Sequence, residues 1–265
     1  MKRSSLLILM GAALATSAFA DSEGNSGKGN ACSDLPSYSQ LKTALTTAVA
    51  AEGSGLDLQM WATIVDRDGI VCAVAFSGAD RGAQWPGSRV ISAQKANTAN
   101  AFSLQGPTGS TVFPTGLALS TANLYSAVQP GGSLFGLQES NPVNTEVAYK
   151  GPASNFGKAN DPMVGERIGG VNVFGGGLAL YGPGKKILGA VGVSGDTSCA
   201  DHNIGWRVRA LLGLDHLLGV SGVATAARPD NIIFDIGADG KSAGGFGHPS
   251  CINTAGSATL PAVQN

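Results

Sequence analysis

The stretch Gly189-Ala190-Val191-Gly192-Val193-Ser194-Gly195-Asp196-Thr197-Ser198-Cys199-Ala200-Asp201-His202 runs from a strand pattern straight into a helix start. Its first half closes a β-rich run from Lys185 to Val193, and the helix opens after Gly195. Ser198 and Asp201 fit the S-x-x-[DE] capping pattern, and Ala200, Ile204, Val208, Leu211 and Leu212 form an apolar stripe at helical spacing. A strand delivered directly into an amphipathic helix points to a mixed α/β domain.

Working outward, Val171–Tyr181 reads as a second strand, joined by the Gly182-Pro183-Gly184 turn and interrupted by Gly175-Gly176-Gly177, a sign of a bulge or close backbone approach. Further upstream, Leu58–Val65 and Ile70–Phe76 flank Asp66-Arg67-Asp68-Gly69, a hairpin signal. Leu41, Ala44, Leu45, Ala48 and Val49 mark a helix with Pro36 in its first turn and Gly53 and Gly55 beyond its end. Ser88–Leu104 is a helix with a small-residue face of Ala93, Ala96 and Ala99. Residues 105–166 are poorly legible apart from a short helix at Ser120–Val128. Downstream, Ile232–Ile236 is one plausible strand before a glycine-rich tail.

At the N-terminus, Met1-Lys2-Arg3, the apolar Leu6–Ala15 and Ala18-Phe19-Ala20 make a cleavable export signal, too short to span a bilayer. The expected organisation is a signal over 1–20, a flexible polar segment over 21–35, one domain over 36–222 and an extension over 223–265. The mature chain is then expected in a periplasm or outside the cell, off the membrane, where thiols oxidise. Its four cysteines, Cys32, Cys72, Cys199 and Cys251, contain no C-x-x-C and allow three pairings. Cys32 with Cys72 and Cys199 with Cys251 is favoured, because each bridge would tie a tail that could fray onto a regular element.

Composition removes several functions. Only 13% of the 265 residues are charged, 17 basic against 18 acidic, with Lys2 and Arg3 in the leader, so no basic field exists to hold nucleic acid. No phosphate-loop pattern occurs, and Gly240-Lys241-Ser242-Ala243-Gly244 matches a nucleophile elbow only by letters, since Gly245-Phe246-Gly247-His248-Pro249 cannot continue as a helix. No paired nucleophile and base is evident, which favours a binding module over a strong catalyst. Low charge and the Ala93, Ala96 and Ala99 face suggest a homo-oligomer. His202, Trp206, Arg209, Gly213 and His216 form a second face of the last helix, read as surface or subunit contact. If the helix is continuous, His202 and His216 lie about 21 Å apart along it, too far to share a metal.

Two helix starts read either as ordinary capped ends with solvated basic residues or as places for an anionic ligand. Free N–H groups after Gly87 and around Ser194 and Gly195, with Arg81, Arg89 and Lys95 near in sequence, would suit carboxylates.

Val65-Asp66-Arg67-Asp68-Gly69, Lys95-Ala96-Asn97-Thr98-Ala99, Gly169-Gly170-Val171 and Gly189–Gly195, with Asp201 after it, resemble in order the motifs of the GlcG/HbpS family of haem-binding proteins, over about residues 38–215. The sequence departs from that pattern at Ser77, where an arginine is usual, at Val171-Asn172 in place of Val-Pro, and over 144–166, which looks inserted. The resemblance implies a profilin-like α+β fold: one antiparallel sheet of about five strands with helices on its faces, assembled into oligomers. It also implies haem or a related tetrapyrrole as ligand, with a role in haem handling. On that expectation Arg81, Arg89, Lys95, Ser194 and Gly195 are candidates for the propionates and His202 for the iron. The rival readings are a haem-degrading or other small-molecule enzyme, and an interaction protein of the same fold without ligand.

Overall fold

The computed structural model describes residues 32–254 and 259–265, so the expected signal and most of the polar segment after it lie outside the described residues. Helix α1 spans Tyr38–Ala50, opened by a capping box between Ser37 and Gln40, with Leu41, Ala44, Leu45 and Ala48 buried. Pro36 therefore precedes the cap rather than sitting inside the first turn. The expected hairpin forms as β1 (Trp61–Asp66) and β2 (Val71–Phe76). Its turn is held by the Asp66 carboxylate, which accepts from the backbone N–H groups of Asp68 (2.9 Å) and Ile70 (2.8 Å). Strand β1 begins later than expected, because the backbone N–H groups of Leu56 and Leu58 donate to Asp196 instead of to a neighbouring strand.

Helix α2 spans Ser88–Phe102; a two-residue ribbon, β3 (Leu104–Gln105) with β4 (Gly116–Leu117), and the single turn α3 (Thr145–Ala148) follow. Ser120–Val128 forms two 3₁₀ turns rather than an α-helix. Strands β5 (Gly177–Gly182) and β6 (Lys186–Ser194) then lead into α4 (Ser198–Leu211). The main sheet is antiparallel throughout, in the order β2-β1-β6-β5. It has four strands, near the five expected.

Two expected strands take other forms. The Val171–Tyr181 run pairs only from Gly177, because the N–H of Asn172 donates to Thr98 Oγ1 on α2 (3.0 Å) and that of Gly175 to Ser198 Oγ on α4 (2.6 Å). Ile232–Ile236 joins no sheet; the Ile232 N–H meets His202 Nε2, and Ile236 makes one bridge to Ser242.

Side chains alternate across β1 and β6 into two cores. Ala62, Ile64, Val191 and Val193 pack with α1 and α4, while Trp61, Val65 and Ala190 pack with α2. On the α2 side the glycines of the motif permit contact of backbone with backbone: a Cβ on Gly192 would overlap the Ser92 carbonyl and the Ala96 nitrogen, and one on Gly177 the Lys95 carbonyl. Both favoured disulfides are present, Cys32 to Cys72 and Cys199 to Cys251. No helix among the described residues is long and apolar enough to cross a membrane.

Candidate functional site

On the α2 side, β1, the loop before α2 and the first turn of α2 face segment 149–156 across a cavity of about 460 Å³. That volume lies within the range of roughly 300–1,000 Å³ typical of small-molecule sites. Trp61, Arg89 and Val90 are buried and make its floor, and Phe156 is half-buried in its wall. Asp80, Arg81 and Tyr149 are exposed at its rim. The Trp61 indole Nε1 is buried and has no hydrogen-bond partner, an unmet donor in that floor.

Arg89 organises this side. It donates from Nε to Asp161 Oδ2 (2.8 Å), from Nη2 to Asp161 Oδ1 and from Nη1 to the Ala148 carbonyl (2.7 Å), and its guanidinium lies 3.6 Å from the centre of the Phe156 ring. Asp161 in turn accepts from the N–H groups of Gly157 (2.7 Å) and Met163 (2.9 Å). Segment 144–166 thus provides part of the cavity wall and the counter-charge that lets an arginine be buried beneath it.

The α4 side holds a sealed polar layer. Lys95 is fully buried; its Nζ donates to Asp201 Oδ2 (2.6 Å) and the Val193 carbonyl (3.1 Å) and lies 4.6 Å from the centre of the Phe174 ring. Burial pushes the Asp201 carboxyl up to about 6, against the pull of Lys95, and pushes the Lys95 amine down. The expected cap moves by one residue: Thr197 Oγ1 accepts from the Ala200 N–H, and Asp201 turns inward to accept from the Asp196 N–H (2.9 Å). The Cys199 N–H faces Cys251 Sγ (3.2 Å), so the α4 start has much of its donor capacity engaged within the chain.

The face carrying His202, Trp206 and Arg209 is a correction to the surface or subunit contact expected of it, because the extension lies over it and buries all three. Arg209 makes a bidentate pair with Asp230 (2.6 and 2.9 Å), Trp206 Nε1 donates to the Pro261 carbonyl (3.0 Å), and His202 Nε2 meets Asn231 Oδ1 and the Ile232 N–H, both at 3.1 Å. Burial drives the His202 imidazole down to about 4, keeping it neutral. Ser198 Oγ lies 2.7 Å from His248 Nε2, and His248 Nδ1 meets the Pro249 carbonyl (2.7 Å), fastening the extension to the start of α4.

The candidate residues therefore separate. Arg81 and Arg89 share the cavity, with Gly87 at its edge; Lys95 lies apart on the next turns of α2, already paired with Asp201. Ser194 is buried and pairs in register with Trp61. Gly195 is needed as glycine, since a Cβ there would come within 2.7 Å of the Gln59 carbonyl oxygen. His202 does not border the cavity. Asp161, Tyr149 and Phe156 went unrecognised in the sequence, where Asp161-Pro162 carries only a loop signal. A second cavity of about 430 Å³, between stretches 125–133 and 236–245, is walled largely by glycine and serine and offers no broad apolar face.

An antiparallel sheet covered by helices, with a cavity on its α2 side, defines the domain as α+β. The chain belongs to the family of HbpS-like haem-degrading proteins, whose profile matches residues 39–208. Among solved structures it is similar to Klebsiella pneumoniae protein ORFY, at 23% identity and a TM-score of 0.42, over 66% of this chain and 86% of that one. It is similar also to PduOC in its complex with haem, at 22% identity and a TM-score of 0.43, over 66% of this chain and 91% of that one. A double mutant of HbpS from Streptomyces reticuli aligns at 13% identity with a TM-score of 0.36, over 66% and 84% of the two chains. No curated protein matches the sequence.

Proposed function

We propose that the protein is an exported haem-binding member of its family and that the cavity between Trp61 and Phe156 holds the tetrapyrrole. The observation that carries this reading is the cavity itself: the apolar surfaces of Trp61, Val90 and Phe156 for a flat ring and an exposed arginine at its mouth, in a chain of a haem family. The residues fit such a group. Trp61, Val90 and Phe156 would bound the ring, and Arg81 would meet a propionate by a charge-assisted hydrogen bond. Arg89 has its charge met by Asp161, so it shapes the floor rather than reaching for the ligand. Haem, once bound, supplies an iron centre able to take up electrons and oxygen. Export is supported by the Met1–Ala20 pattern and by two disulfides, which persist in oxidising compartments. Self-association belongs to the same proposal.

Titration with haemin should give a saturable, shifted Soret band. Arg81→Glu should weaken it roughly tenfold or more, and Lys241→Glu, at the second cavity, should leave it unchanged. Binding no better than to an unrelated protein of equal charge would overturn the reading in favour of an interaction protein. Adding a reductant and oxygen to the same sample distinguishes binding from degradation, which bleaches the band.

A further inference from the structure

We propose that Tyr149 supplies the protein's oxygen ligand to the haem iron, an inference that rests on the cavity reading above. Haem iron in proteins is held by His, Cys, Met or Tyr side chains. Among the described residues all four cysteines are spent in disulfides. The three histidines lie away from the cavity: His202 is held at Asn231, His248 lies between Ser198 and the Pro249 carbonyl, and His216 meets the Asn265 carbonyl. Met60 and Met163 are fully buried, and neither borders the cavity. Of the residues that do border it, Tyr149 alone carries a side chain of those four kinds, and it is 64% exposed at the mouth.

The backbone that presents this phenol is fixed. Asn144 caps α3 by accepting from the N–H groups of Glu146 and Val147, and the Tyr149 N–H closes the turn on the Thr145 carbonyl. The carbonyl just before Tyr149, that of Ala148, accepts from Arg89 Nη1 at 2.7 Å, and Arg89 is clamped by Asp161. The buried pair thus ties the ligand-bearing turn to α2, which forms the opposite part of the cavity. Ligation needs no electron transfer: Tyr149 Oη, its proton given up to solvent at the open mouth, would hold the iron in its ferric state.

The full chain loaded with haemin should show a phenolate-to-iron charge-transfer band and a phenolate mode in resonance Raman. Tyr149→Phe should lose both while its Soret titration still saturates and its thermal unfolding is unchanged, and Tyr149→His should replace them with an imidazole-type spectrum. A saturable wild-type complex that lacks the phenolate signature, or keeps it in Tyr149→Phe, overturns the assignment and leaves the cavity reading standing. Failure of the wild type to bind haemin saturably overturns both.

Discussion

The two sides of the sheet use the same device to opposite ends. Each buries an arginine from a sheet-packed helix against an aspartate from a later segment, Arg89 with Asp161 on the α2 side and Arg209 with Asp230 on the α4 side. Each guanidinium also lies on an aromatic ring, that of Phe156 at 3.6 Å and that of Trp206 at 4.5 Å. The difference is what stands above the pair. Over Arg89 the chain leaves a cavity with an exposed rim; over Arg209 it lays the extension, fastened by the Cys199–Cys251 bridge and by hydrogen bonds from His202 and Trp206. A buried ion pair marks neither a site nor a seal by itself, because its net stabilisation is small once desolvation is counted. The open volume next to Arg89 makes the α2 side the candidate for chemistry, while Arg209 lies covered by the extension.

The largest effects should come from stranding either arginine. Asp161→Ala and Asp230→Ala each leave a buried cation without its counter-charge, at a cost of about 3–5 kcal/mol in urea unfolding. The two variants should part in function. Asp161→Ala loosens the floor and the Tyr149 turn and should abolish the shifted Soret band, whereas Asp230→Ala should keep that band in the fraction that remains folded. A cost below about 1 kcal/mol for Asp230→Ala would mean that the α4 side is not sealed.

A smaller effect follows from pH. The His202 imidazole falls from 6.5 to about 4 on burial, so between those values the unfolded chain takes up a proton that the fold refuses. Stability on this account is complete above pH 6.5 and is lost as pH falls toward 4, by on the order of 3 kcal/mol. His248, lowered by burial, acts in the same sense. Asp201, raised from 3.8 to about 6, acts oppositely, since the fold holds its proton to higher pH and this share of stability is lost as pH rises through that window. Comparing wild type with His202→Gln at pH 7 and pH 4.5 isolates the histidine: the variant should lose less stability on acidification, and equal losses would place His202 in contact with water. Smallest is Arg81→Glu, worth about 1.5–3 kcal/mol of haemin affinity with no change in stability.

Local patterns carried most of the fold. The stripes of α1 and α4, the small face of α2 and the Asp66–Gly69 turn all repeat within a few residues, and each stands close to its expected bounds. Where legibility failed, a partner distant in sequence had captured the backbone: Thr98 and Ser198 hold the donors of Asn172 and Gly175, and His202 holds that of Ile232. The candidate site was legible only in its cations. Arg81, Arg89 and the Gly87 start could be read from the sequence, but Asp161 lies 72 residues from Arg89, and nothing local marks it as a counter-charge. The same limit misread the His202–Trp206–Arg209 stripe, whose polar faces look solvated until the extension is laid over them.

The most direct test of the central claim is an iron anomalous difference map from crystals of the protein grown with haemin. The account places a single strong peak in the α2-side cavity, beside Trp61, Val90 and Phe156 and within bonding distance of the Tyr149 hydroxyl. A peak on the α4 side at Lys95 or His202, or in the second cavity at Lys241, would contradict it.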